Sequence, residues 1–146
     1  MKNIWIILLL SLLFVGISLP KAHAQSEDDL VEICAMIAGD ATFLKDFKIR
    51  LDAGDPAPTQ RFSVILKKGI KYRFSVCNSK DFDGKVVLQL LDNNRLLATT
   101  YIVATGTDHP TIDYVCTRTG AYHLFFNFRD GKTGLAVGLL SLVEAM

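Results

Sequence analysis

Apolar and polar residues alternate with a period of two along most of this chain, and that rhythm predicts strands. Phe47, Ile49 and Leu51 alternate with Lys48 and Arg50. The rhythm returns at Phe62, Val64 and Leu66, at Tyr72, Phe74 and Val76, and at Val86, Leu88 and Leu90. Further extended segments are expected over residues 96–103, at Ile112 and Tyr114, and at Tyr122, Leu124, Phe126 and Phe128. The last, over residues 133–143, is apolar at nearly every position, which predicts a strand covered on both faces. Turn residues separate them, among them Lys67-Lys68-Gly69, Asp92-Asn93-Asn94, Thr119-Gly120 and Arg129-Asp130-Gly131-Lys132. Eight strands at this spacing predict an all-β, antiparallel, eight-stranded jelly-roll-like β-sandwich.

Ahead of the strands the period lengthens. Leu30, Ile33, Cys34 and Ile37 recur at helical spacing, after a capping Ser26 and an acidic turn of Glu27, Asp28 and Asp29. Gly39 is a natural stop, so a short N-terminal helix is expected over residues 28–38. Earlier still, Lys2 precedes an apolar run over residues 4–19, followed by Pro20 and the small-residue site Ala22-His23-Ala24. That is the grammar of a secretory leader, and the run falls short of the ~20 residues needed to span a bilayer. The chain therefore divides into a cleaved signal peptide (1–24), an N-terminal helical segment (25–42) and a β-sandwich domain (43–146). Val31-Glu32-Ile33 before Cys34 lacks the small residues of a lipoprotein signal. The expected location is the periplasm or the exterior, with no transmembrane anchor once the leader is removed.

Charge narrows the partners. Loss of Lys2 and Lys21 takes the 16 basic residues to 14, against 15 acidic ones. A formal net of −1 with interspersed charges carries no basic stripe, so nucleic acid is not an expected partner.

The segments Lys68-Gly69-Ile70-Lys71-Tyr72-Arg73-Phe74, Leu88-Gln89-Leu90-Leu91-Asp92 and Thr119-Gly120-Ala121-Tyr122-His123-Leu124 resemble small secreted bacterial β-sandwich modules of the pre-peptidase C-terminal type. Phe43-Leu44-Lys45-Asp46-Phe47, with Gly134-Leu135-Ala136-Val137-Gly138-Leu139-Leu140-Ser141, is similar to an uncharacterised family of short exported bacterial proteins. The resemblance implies a jelly-roll-like accessory or binding domain and carries over no functional residue.

Three cysteines in an oxidising compartment leave one pair and one over. A jelly roll orders its strands one-eight-three-six in one sheet and two-seven-four-five in the other. Cys77 and Cys116 then end neighbouring antiparallel strands at opposite edges, beyond the ~7 Å between Cα atoms that a bridge allows. The helix enters at the edge that holds Cys116. The expected disulfide is Cys34–Cys116, with Cys77 a free thiol near Leu135.

Catalytic chemistry finds little support. Asp108, His109 and Asp113 are the candidate acid–base group of a small hydrolase, but His109 reads better as a solvated loop residue. His123 falls on the outward row of its strand, and Ser63, Ser75 and Ser141 lie inside strands with no nucleophile elbow. No C-x-x-C or H-x-x-x-H spacing points to zinc. Asp81-Phe82-Asp83-Gly84 opens like a calcium loop, making Asp81 and Asp83 candidate ligands, although the closing acid of that motif is Leu90 here. Otherwise no cofactor is expected. Ile65, Val87 and Phe125 fall on outward faces and form a candidate interaction surface. The expectation is an exported, non-enzymatic module binding a protein or glycan at the bacterial envelope. The alternatives are a structural subunit of an envelope assembly, or the hydrolase above.

Overall fold

A computed structural model of the protein describes residues 24–145, so the expected leader lies outside the described residues except for Ala24. The helix α1 (Glu27–Ala38) starts where its caps dictate. Ser26 accepts from the Asp29 backbone, and the Asp29 side chain accepts in return from the Ser26 N–H, which satisfies two exposed donors. Gly39 ends it at a φ of 68°.

Ten strands follow among the described residues: β1 (Thr42–Leu51), β2 (Gln60–Leu66), β3 (Ile70–Asn78), β4 (Val86–Asp92), β5 (Arg95–Thr99), β6 (Tyr101–Ile102), β7 (Thr107–Asp108), β8 (Thr111–Val115), β9 (Gly120–Phe128) and β10 (Gly134–Ala145). Two antiparallel four-stranded sheets pack as a sandwich, one ordered β1-β10-β3-β8 and the other β2-β9-β4-β5. β6 and β7 form a small separate hairpin. The single strand expected over residues 96–103 is broken at the buried Thr100. Its hydroxyl replaces a backbone acceptor for Leu88 N at 2.9 Å, and the chain then leaves the sheet.

The core lies between the sheets and is built from the alternating inward residues. Phe47, Phe62 and Phe126 meet in tilted and edge-on contacts with ring centroids 4.9 to 5.9 Å apart. Gly138 makes room for them, because a Cβ there would lie 2.8 Å from the Phe126 ring. As expected for a strand covered on both faces, β10 is buried at every residue over 134–141. Its inward residues Ala136 and Leu140 join the main core, while Leu135, Val137 and Leu139 point outward beneath α1.

That arrangement overturns the expected disulfide. Cys34 is bonded to Cys77, and Cys116 is the free, buried thiol. Cys77 and Cys116 do end far apart, since Lys71 pairs with Val115 and Cys77 lies six positions further along β3. The error concerned the helix. After Gly39 the chain reverses, so α1 lies back across the outer faces of β10 and β3 instead of stopping at the edge. Strand parity then chooses the partner. Tyr72, Phe74 and Val76 point inward, which turns Cys77 outward beside Val137 and under the helix. Cys116 points into the core, its sulfur 3.6 Å from the Tyr122 hydroxyl. Cross-linking residues 43 apart contributes roughly 4 kcal/mol in the chain-entropy model and fastens α1 to the sheet.

Candidate ligand-binding face

Among the described residues, no helix lies over the second sheet. β2 and β9 pair from Gln60 opposite Phe126 to Leu66 opposite Gly120, which sets Arg61 beside Phe125 and Ser63 beside His123 on the outward rows. The Arg61 guanidinium lies 4.6 Å from the Phe125 ring centroid. Ser63 Oγ and His123 Nδ1 share a hydrogen bond of 3.1 Å. A two-residue turn closed by Asp92 opposite Arg95 places Asn93 and Asn94 at the rim, with Asn93 in the left-handed region at φ 53°. Arg118 holds the base of that turn through Asp92 at 2.5 Å.

Together Arg61, Phe62, Ser63, Asn93, Asn94, His123 and Phe125 line an open groove of about 410 Å³. Its chemistry is a guanidinium over an aromatic ring, flanked by hydroxyl, imidazole and amide groups that both donate and accept. No carboxylate is among the lining residues, so nothing in the groove orients the Ser63–His123 pair as a triad would need.

The residues expected to form an apolar surface do not form one patch. Ile65 is exposed and pairs with Ala121, four positions along β2 from Arg61. Val87 is buried, in a neighbouring groove shared with Tyr101 and Val103 at the β6–β7 hairpin. Phe125 lies under Arg61. A different group of apolar side chains, Met36, Ile37, Phe43 and Leu44, is exposed around the link from α1 to β1.

The hydrolase candidates are held in separate ion pairs. Asp108 is bonded to Arg129, and Asp113 takes two bonds from Arg73, at 2.7 and 2.9 Å. The Arg73 hydrogen bonds hold the Asp113 carboxyl below its usual range against the opposing effect of burial. Arg73 also donates to Ala38 O at 2.9 Å, tying the end of α1. His109 donates its backbone N–H to Thr100 O at 2.7 Å, and no bond joins its ring to either carboxylate. Asp81 and Asp83 lie together beside Lys132 at one end of the sandwich, where Asp81 accepts from Gln25 N at 2.8 Å. Among the described residues, no three His, Cys, Asp or Glu side chains gather closely enough to hold a metal ion.

The Ser63–His123 contact was not visible in the sequence. Both residues fall on outward rows, but β2 and β9 are far apart in the chain and nothing local encodes their register. No family model matches the chain, and no curated protein is found to be similar to it.

Proposed function

We propose that this chain is an exported, non-enzymatic binding module of jelly-roll topology, and that its ligand is a glycan of the bacterial envelope. The observation that carries the reading is the open groove in which Arg61 lies over Phe125 beside the Ser63–His123 pair and the Asn93-Asn94 turn. A pyranose presents an apolar C–H face and a ring of hydroxyls. The guanidinium–phenyl pair meets the first, and the paired donors and acceptors of Ser63, His123, Asn93 and Asn94 meet the second. Paired strands hold five of the lining residues, which lowers the ordering cost of binding. The strand orders support the jelly-roll assignment, and the disulfide suits an oxidising compartment.

The test is titration of the isotope-labelled protein with a panel of envelope oligosaccharides, followed residue by residue by NMR. Shifts confined to Arg61, Ser63, Asn93, Asn94, His123 and Phe125 are expected, with at least a tenfold loss of affinity in Phe125→Ala, about 1.4 kcal/mol. Absence of groove shifts with every sugar, or equal binding by Phe125→Ala, would sink the reading.

A further inference from the structure

Gln25, just ahead of α1, is tied twice to the loop between β3 and β4. Its backbone nitrogen donates to Asp81 Oδ2 at 2.8 Å, and its Oε1 accepts from Lys80 N at 3.0 Å. The loop is itself well fixed. Ser79 is buried, donates its N–H to Leu135 O at 2.8 Å and accepts at its hydroxyl from Asp81 N at 3.2 Å. Two residues upstream of Ser79, Cys77 is bonded to Cys34. An exposed carboxylate that accepts from a neutral backbone N–H gains a modest Coulomb attraction when that donor carries a positive charge. That nitrogen belongs to the residue that the Ala22-His23-Ala24 motif would leave first in the processed chain.

We propose that Asp81 is the seat of the α-ammonium group of Gln25, created when a signal peptidase cuts after Ala24, so that processing completes an ion pair at the start of α1. This rests on the export reading. In the cut, water adds across the Ala24–Gln25 peptide bond. Ala24 leaves with a carboxylate, and the Gln25 nitrogen takes up protons to become an ammonium. One N–H stays on Asp81, and the side-chain carbonyl stays on Lys80. Only the unprotonated fraction of that nitrogen can attack the side-chain amide with loss of ammonia, so holding the proton on it slows the cyclisation of Gln25. The other charged groups around it and Asp81 are Lys80 and Asp83 on the loop, Glu27, Asp28 and Asp29 on α1, Lys48 and Arg50 on β1, and Lys132 ahead of β10. Lys48 is engaged with Asp28 at 3.1 Å.

The experiment uses full-length protein exported and purified in its processed form. Intact mass and N-terminal sequencing define the first residue, and NMR titration gives the α-amine pKa in the wild type and in Asp81→Asn. An open Gln25 is expected, titrating above the ordinary amine range of about 7.7–8.0, with a several-fold weaker acid constant than in Asp81→Asn. A raised folded-state pKa stabilises fully below the unfolded value and is lost as pH rises through the folded one. Asp81→Asn should therefore lower Tm near pH ~6 and leave it unchanged near pH ~10. A chain that is neither exported nor cut overturns the proposal together with the export reading, whereas a processed chain with a first residue other than Gln25 overturns the seat alone. An open Gln25 that titrates alike in both proteins, or a cyclised one, overturns the seat alone.

Discussion

The two outer faces of the sandwich come from the same alternation and meet opposite fates. Under α1, β10 turns Leu135, Val137 and Leu139 outward, next to Cys77 of β3. On the other sheet, β2 and β9 turn out Arg61, Ser63, His123 and Phe125. The first row cannot face water without a cost of roughly 1.5–3 kcal/mol per aliphatic side chain, and the chain covers it with Leu30, Cys34 and Ala38 of its own helix. The second row satisfies its polar groups in water and needs no cover. Among the described residues, α1 and the disulfide are both committed to one face, and nothing described covers the other. The composition of the outward row, more than the sheet topology, decides which face becomes structural and which can become functional.

The comparison can be broken from its sealed side. Replacing Cys34 and Cys77 together by serine is expected to cost roughly 4 kcal/mol, read as a lower urea midpoint. Amide exchange in that variant should rise most in α1 and leave β2 and β9 little changed; uniform loosening of both sheets would deny the helix its role as a cover. A smaller contrast sharpens the same point. Leu30→Ala, at a fully buried position of α1, is expected to lose about 2–4 kcal/mol. Ile65→Ala, exposed on the open face, should stay within about 0.5 kcal/mol. Equal losses at the two sites in denaturant titrations would mean that the second face is covered as well.

What could be read in advance follows from the range of the interactions involved. Alternation such as Tyr72, Phe74 and Val76 reports a strand and its buried face from neighbours alone, and Ser26 with Asp29 announces the start of α1. The interruption at Thr100 was hidden, because the apolar pattern continues through Tyr101 to Val103 while a side-chain hydroxyl takes over a backbone bond. The disulfide was misassigned because the reversal after Gly39, not the edge geometry of the sheets, decides what α1 covers. Parity of β3 was already readable and would have pointed Cys77 outward, had the helix been placed over the sheet. The groove was the least legible feature. Asn93-Asn94 is a local turn signal, but its meeting with His123 and Ser63 depends on β9 pairing with both β4 and β2.

Peptide mapping of the unreduced protein, with a thiol reagent applied before and after unfolding, tests the division between sealed and inner positions most directly. A single linked peptide pair containing Cys34 and Cys77 is expected, with Cys116 labelled only once the sandwich is unfolded. A Cys34–Cys116 link, or rapid labelling of Cys116 in the native protein, would contradict it.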